Sequence, residues 1–463
     1  MIRKKKDKAK KNRAMSSEKI LFISLGCDKN LVDSEMMLGL LAEKGYEFTD
    51  DEVEADIIVI NTCCFIGDAK QESIDTILEM SQLKKSGKLK TLIVAGCLAQ
   101  RYKEEIQKEI PEVDIIIGTA AIDEIVAALD MHNEHCHEFN NHYKPLDTAP
   151  LTNTKRLITT GGHYAYLKIA EGCNKHCTYC IIPRVRGDYR SVPMDDLVEE
   201  ARTLVCGGVK ELILVAQETT VYGIDLYGKK MLSELLRRLC LIEGLVWIRI
   251  LYCYPEEIDD ELIQVIKTEP KICHYLDLPV QHGCDSVLKR MGRKTDSREL
   301  VSIIEKLRHE IPDICIRTTL ITGFPGETEE EHEELMEFVD RMEFDRLGVF
   351  TYSQEEDTPA ALMSDQIPDE IKEERQASLM ELQQEIAFDA ALSMEGKLVD
   401  AMIEGKIADE AAYIARTYKD APNVDGLLFV NTERELMTGD FVKVRITGAY
   451  EYDLIGELED EFA

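Results

Sequence analysis

The sequence predicts an α/β chain in three parts: an N-terminal doubly wound parallel-sheet domain, a central partial (β/α)6 barrel and a small all-β barrel at the C-terminus. Three observations predict it. Short apolar runs alternate with helical patterns between residues 19 and 130, and the alternation recurs through six further strand candidates from residue 164. Beyond residue 391 the helical period gives way to strand-like runs broken by turn residues.

In the first part KILFISLG, DIIVIN, KTLIVAG and VDIIIG have the unbroken apolar character of buried parallel strands. SEMMLGLLAEKG, KQESIDTILEM and IDEIVAALD carry helical spacing between and after them. This first domain is expected over 18–134, after a basic tail over 1–17 and before a linker over 135–160 that has little apolar periodicity. The central domain is expected over 161–390, with strands at YAYLKI, ELILVA, VWIRIL, YLDLPV, ICIRTTLI and RLGVFTY. Six β–α units exceed a flavodoxin-like sheet and fall short of the eight-unit barrel, so the barrel is partial and open. PDEIKEERQASLMELQQEIAF reads as a long charged helix leading out of it. KLVDAMIE, AAYIART, DGLLFV and FVKVRITGAYEYDLIGEL then make an OB-like barrel over 391–463.

Composition bounds the function. No apolar stretch is long enough to cross a bilayer, and no apolar run follows the basic start to make a secretory signal, so a cytoplasmic protein without a membrane partner is expected. Fourteen cysteines in a reducing compartment point to metal ligands or redox groups rather than disulfides. Cys206, Cys240, Cys253, Cys273 and Cys315 stand singly in apolar or mixed surroundings and read as ordinary buried thiols. The net charge of −33 repels bare nucleic acid and favours a basic partner. Residues 391–463 alone hold seven Lys or Arg against sixteen Asp or Glu, which makes RNA, tRNA included, an unsuitable partner for the last domain. The opening RKKKDKAKKNR is the exception: a solvated tail, or a loose tether to ribosomal RNA.

Two cysteine constellations carry the chemistry. EGCNKHCTYC puts Cys173, Cys177 and Cys180 in a Cx3CxxC loop directly after the strand YAYLKI. Three thiolates this close can hold one iron–sulfur cluster, and the absence of a fourth nearby ligand leaves one iron open to a small molecule. The alternative is a zinc loop that borrows His176 or a remote cysteine as its fourth donor. The second constellation is dispersed: Cys27, Cys63 and Cys97 each lie just past a predicted parallel strand. Carboxyl ends of such strands share one sheet edge, so three thiolates can converge without a short motif. Cys64 reads as a bystander whose side chain diverges from that of Cys63.

The Cx3CxxC loop on the first strand of a partial barrel resembles the radical S-adenosylmethionine superfamily. The resemblance implies a 4Fe-4S cluster on Cys173, Cys177 and Cys180, with S-adenosylmethionine chelating its open iron and yielding a 5′-deoxyadenosyl radical. Tyr179 then stands where an aromatic packs near the adenine, and Gln217, at the end of ELILVAQ, is a further cofactor contact by strand-end position. GFPGET lacks the P-loop lysine and reads as a turn that lets the backbone approach S-adenosylmethionine.

Taken together, the two constellations resemble the methylthiotransferase family, whose third domain is called TRAM. SLGCDKNLVDSE, LPVQHGCDSVLKRMGR, RTTLITGFPGET, YSQEEDTPA and DAPNVDG look specifically like its RimO type, although Asn423 replaces a more usual acidic residue. His282, Glu355 and Glu356 fit that type better than the alternative, a MiaB-type tRNA adenosine methylthiotransferase. The resemblance implies a second 4Fe-4S cluster on Cys27, Cys63 and Cys97. It also implies two S-adenosylmethionine per turnover, an electron donor, and methylthio insertion at an aspartate β-carbon of small-subunit ribosomal protein S-twelve, on or near that subunit. The β C–H bond has no accessible acidity at neutral pH, so a radical route is the one that avoids a prohibitive barrier. Such a reaction requires the two cluster domains to pack together across the substrate.

Overall fold

The computed structural model describes residues 18–134 and 139–459, which fall into two compact units. One holds the chain up to Leu157 together with Arg184–Arg186; the other holds Ile158–Pro183 and the chain from Gly187 onward. The basic run RKKKDKAKKNR lies outside the described residues.

In the first unit β1 (Lys19–Ser24), β2 (Glu47–Phe48), β3 (Ile57–Thr62), β4 (Thr91–Gly96), β5 (Ile115–Ile117) and β6 (Asn140–His142) form one sheet. Its order is β2-β1-β3-β4-β5-β6, and every pairing is parallel. β3 and β4 are buried at every residue, as their apolar runs require. The order reverses between β1 and β3, and at such a switch point the carboxyl ends of the strands open a crevice. The two edge strands escape the apolar pattern. Residues 140–142, expected within a linker, instead pair with β5 and extend the sheet. An edge strand is made by backbone pairing on one side and needs no apolar face. Here His142 Nδ1 lies 2.8 Å from the Glu124 carboxylate, which ties the segment down.

The second unit begins with β7 (Tyr164–Lys168), then β8 (Ala170–Glu171) and β9 (Arg190–Ser191), a two-stranded antiparallel ribbon. There follow β10 (Glu211–Val215), β11 (Trp247–Ile250), β12 (Ile272–Asp277), β13 (Cys315–Thr322) and β14 (Arg346–Thr351). The order β14-β13-β12-β11-β10-β7 is sequential and parallel, an open sheet of six strands with helices between them, as predicted. Leu212, Leu214, Ile248, Ile250, Leu276 and Ile316 sit in one apolar core with the inner faces of those helices. The helix Asp369–Leu392 leads out of the sheet.

β15 (Leu398–Lys406), β16 (Ala412–Thr417), β17 (Leu428–Asn431), β18 (Phe441–Tyr450) and β19 (Asp453–Leu458) close a five-stranded barrel in the order β15-β16-β17-β19-β18. It is antiparallel except for the β17–β19 pair, in keeping with the expected OB-like barrel. This barrel and the open sheet belong to one compact unit because a buried polar junction joins them. Glu211, Trp247 and Arg346, the first residues of β10, β11 and β14, meet Arg416, Phe441 and Asp420. The junction thus takes the amino ends of those strands and leaves their carboxyl ends to the cysteine loop. Among the described residues no helix is long and apolar enough to cross a membrane.

Candidate functional site

Cys27, Cys63 and Cys97 directly follow or closely trail β1, β3 and β4, so Cys27 and Cys63 flank the switch point of the first sheet. Local sequence makes the approach close. A Cβ at Gly26 (φ +90°) would lie 2.6 Å from Cys63 Cβ, and one at Gly96 (φ +91°) would lie 2.3 Å from Asn61 Oδ1; only glycine fits either place. Asn30 stitches the loops together: its Nδ2 donates to the Leu25 carbonyl (3.0 Å) ahead of Cys27 and to the Thr62 carbonyl (2.9 Å) ahead of Cys63. That leaves Asn30 Oδ1 facing Cys97 Sγ at 3.8 Å. Ser73 Oγ accepts from the Cys63 amide at 3.0 Å and donates to its carbonyl at 2.9 Å.

Burial pushes the Cys63 thiol up to about 12, and the negative charges that Cys97 and Cys27 would carry push the same way. Burial likewise raises Cys97, partly opposed by the Arg186 guanidinium. The three thiols are therefore electrostatic neighbours, as convergence at one sheet edge requires. Cys64 is fully buried, and its ionisation is also opposed by Cys97, so divergence from Cys63 does not remove it from the neighbourhood.

In the second unit the β8–β9 ribbon brackets the Cys173–Cys180 loop. Gly172 (φ +77°) brings the backbone so near that a Cβ would lie 2.1 Å from the Asp188 carbonyl oxygen. The Cys173 amide donates to the Gly187 carbonyl at 3.1 Å, and the Lys175 amide points at Cys173 Sγ at 3.5 Å. Thr178 is fastened by its amide to the Met291 carbonyl (2.9 Å) and by its hydroxyl to the Arg290 carbonyl (2.8 Å). Burial pushes the Cys173 thiol up to about 11 and raises Cys180.

Tyr179 packs edge-on against Phe324 of the GFPGET turn, with ring centres 6.5 Å apart. Gln217 lies past the end of β10, where its buried Oε1 has no hydrogen-bond partner. The same rim carries groups that the sequence reading passed over. Glu218, Gln281 and Arg293 each have a buried side-chain atom without a hydrogen-bond partner, and Tyr254 Oη lies 3.5 Å from Cys177 Sγ. Arg293 and Lys175 lie over the Tyr254 ring at 4.2 and 4.7 Å, and Lys175 Nζ is 3.6 Å from Glu218. Burial pushes the Glu218 carboxyl up to about 7 against the pull of Lys175. The strand-end rule that selected Gln217 selects Glu218 and Tyr254 equally well; nothing local in the sequence marked Arg293 or Gln281.

The turn itself is more self-contained than expected. Glu327 Oε2 accepts from the Phe324 amide at 3.0 Å, Arg375 donates to Glu327 at 3.0 Å, and the space beside Gly323 (φ +70°) is filled by the Lys372 side chain. His282 is buried, its Nδ1 accepting from the Cys284 amide at 3.0 Å. Glu355 is buried against Ser353, whereas Glu356 is exposed. Asn423 stands at φ +66°, a region asparagine tolerates well, and reaches Tyr164 Oη at 3.3 Å. Of the cysteines expected to be plainly buried, Cys253, Cys273 and Cys315 are; Cys240 is half-buried, and Cys206 is exposed because it ends the helix Met194–Cys206 on its solvent side.

Among the described residues no three Cys, His, Asp or Glu side chains close around a single ion-sized point. A mononuclear zinc would need its donors within about 2.0–2.3 Å of one centre. A 4Fe-4S cluster instead takes its thiolates on separate iron corners. His176, the imidazole a zinc loop would borrow, is exposed. Both donor sets are all-thiol, which suits iron–sulfur chemistry, and one has buried polar atoms without hydrogen-bond partners along its rim.

Comparison with known proteins agrees. Uncharacterized protein family UPF0004 matches residues 19–118, the radical SAM superfamily matches 167–339, and the TRAM domain matches 396–458. The ribosomal protein uS12 methylthiotransferase RimO of Lachnoclostridium phytofermentans is 65% identical over 443 residues, which are 95% of this chain and 100% of that protein. The chain belongs to the RimO family of uS12 methylthiotransferases. RimO proteins of Acetivibrio thermocellus and Clostridioides difficile are 49% and 48% identical, each over 96% of this chain and 99% and 100% of their own length. The MiaB-type alternative is not favoured. A solved structure of the radical S-adenosylmethionine methyltransferase TsrM from Kitasatospora setae, with cobalamin and a 4Fe-4S cluster bound, shares the fold. It gives a TM-score of 0.54 at 13% identity, over 75% of this chain and 77% of that one. Membership in the RimO family carries with it S-adenosylmethionine and 4Fe-4S clusters as cofactors.

Proposed function

We propose that this chain inserts a methylthio group at the β-carbon of an aspartate in ribosomal protein uS12, as a radical S-adenosylmethionine enzyme. The observation that carries the reading is the pair of cysteine triads, one following the ends of β1, β3 and β4 and one in the loop after β8, in a chain matched over 95% of its length by a protein named for that activity. Cys173, Cys177 and Cys180 would hold one cluster and Cys27, Cys63 and Cys97 the other. When bound, the clusters and S-adenosylmethionine supply reductive cleavage to a carbon radical and the sulfur that this chemistry transfers.

The remaining work falls to the chain's own side chains. Gln217 and Gln281 offer buried, partnerless carbonyl oxygens to the amino and hydroxyl groups of the cofactor. Tyr179 and Phe324 make an apolar wall beside the cysteine loop, suited to a flat base. Arg293 and Lys175, stacked on Tyr254, keep positive charge beside the thiolates. The acidic last barrel suits a lysine- and arginine-rich protein and repels tRNA phosphates. The setting is the cytoplasm, on or near the small ribosomal subunit, with a low-potential electron donor as the further partner.

The test is anaerobic reconstitution with iron and sulfide, then incubation with uS12, S-adenosylmethionine and a reductant, read by mass spectrometry. Replacement of one aspartate hydrogen by a methylthio group is expected, with about eight irons per chain. Modification of tRNA with none of uS12 would overturn the reading.

A further inference from the structure

Arg186 follows Cys180 by six residues in the sequence, yet Arg184–Arg186 belong to the first compact unit. There its Nη1 donates to Asp33 Oδ2 at 2.7 Å, and Nη2 donates to Asn30 Oδ1, the same oxygen that lies 3.8 Å from Cys97 Sγ. Arg186 and Asp33 side chains are both only 3% exposed. The Val185 carbonyl accepts from Thr119 Oγ1 at 2.7 Å, which fixes the backbone beside it. The guanidinium charge is felt at Cys97 and at Cys63, while the Asp33 carboxylate acts on Cys97 in the opposite sense.

A buried ion pair contributes little net stability, because desolvation of both charges offsets their attraction. This pair therefore asks for a reason other than holding the fold. Cys63 and Cys97 are buried while Cys27 is exposed, and an anionic cluster held by them would have this buried guanidinium one hydrogen-bonded oxygen away from Cys97. Asn30, with both amide hydrogens occupied by the Leu25 and Thr62 carbonyls, has only its oxygen left to turn toward the triad and the arginine.

We propose that Arg186 is the charge-compensating residue of the Cys27–Cys63–Cys97 site, with Asp33 setting how much of its charge reaches the triad. Arg186 acts through the electrostatic environment and through Asn30, so it is a positioning residue rather than a catalytic one. The role rests on the reading that the triad holds a cluster. For such a cluster, nearby charge and hydrogen bonding set the reduction potential.

The test uses the full chain with Cys173→Ala, Cys177→Ala and Cys180→Ala, so that iron binds only at the first triad. Its midpoint potential is measured by redox titration followed by electron paramagnetic resonance, with Arg186→Met and Asp33→Asn added singly. Arg186→Met is expected to lower the potential and Asp33→Asn to raise it, each by roughly tenfold in the reduction equilibrium, about 59 mV for one electron. Should Arg186→Met fail to fold, Asp33→Asn decides alone, since it removes one charge and keeps the guanidinium in place. Unmoved potentials, or shifts of the same sign in both variants, would overturn the role of Arg186. Absence of iron from the parent triple variant would instead refute the cluster assignment itself.

Discussion

The Glu211 carboxylate that opens β10 accepts a 2.7 Å bond from Arg416 Nη2 on β16 of the C-terminal barrel and a 2.8 Å bond from Arg249 Nε on the adjacent strand. All three side chains are buried. Burial alone would raise the Glu211 carboxyl, but the two guanidiniums outweigh it and hold it below the ordinary carboxylate range. Taking it away strips the buried Arg249 of its carboxylate and leaves Arg416 with Glu404 alone. Glu211→Ala should cost about 3–5 kcal/mol and lower the melting temperature, with the C-terminal barrel cut first under limited proteolysis. Unchanged melting in calorimetry would mean that the junction rests on its apolar contacts alone.

The two triads should separate by variant. Cys177→Ala removes a ligand of the loop expected to activate S-adenosylmethionine, so formation of 5′-deoxyadenosine should fall to background. Cys63→Ala leaves that loop intact, and cofactor cleavage should stay detectable while methylthiolated uS12 disappears. Chromatography of the nucleoside product and mass spectrometry of the peptide read the two outcomes independently. Methylthiolation by the Cys63 variant would show that the division of labour is wrong.

Glu331 offers a pH test of stability. It closes a capping box with Thr328 on the helix Glu329–Met342, and its carboxylate accepts two bonds from Arg290 at 2.6 and 3.0 Å. Burial would raise its pKa, but Arg290, Ser286 and the Thr328 amide together lower it to about 2. A carboxyl depressed in the folded state stabilises fully above its unfolded pKa, and that contribution is lost as pH falls from about 4.3 toward 2. Glu331→Ala should therefore cost on the order of 1–2 kcal/mol near neutral pH, discounted because Arg290 is partly exposed, and almost nothing near pH 2. Denaturant melts at the two pH values check the difference; an equal loss at both would assign the effect to helix propensity alone.

The fold was legible wherever burial forces the sequence to be apolar. β3 and β4 are covered on both faces and read directly as DIIVIN and TLIVAG. Asn140–His142 was not legible, since an edge strand needs only backbone partners and its side chains stay free to be polar. Cys27, Cys63 and Cys97 follow β1, β3 and β4 where the apolar runs placed them, and Cys173 follows β8. Asn30, Asp33 and Arg186 were not legible: SLGCDKNLVDSE carries the first two on a helix where polar residues are usually solvent-facing, and only the three-dimensional return of Arg184–Arg186 gives them their partner. GFPGET was half legible. Its positive-φ glycines follow from the turn, but the side chain that fills the space beside Gly323 is Lys372, far along the chain.

The charge on the last barrel is the remaining lever. Of its acidic residues, Glu404, Asp420 and Asp425 are engaged within the junction by Arg416, Arg346 and Tyr275, so they cannot also attract a partner. Glu433, Glu435 and Glu451 remain exposed and free to act on an approaching protein. Charges at an exposed rim act mainly on association rate and are screened over a Debye length of about 8 Å at physiological salt. Reversing all three to lysine should slow association with uS12 on the order of tenfold at low salt, with the difference shrinking steadily as salt is added. Since none of the three is buried, thermal stability should barely move, which separates an electrostatic effect from a folding defect. Surface plasmon resonance across a salt series supplies the measurement, and a binding rate indifferent to both the reversal and the salt would place uS12 recognition elsewhere on the chain.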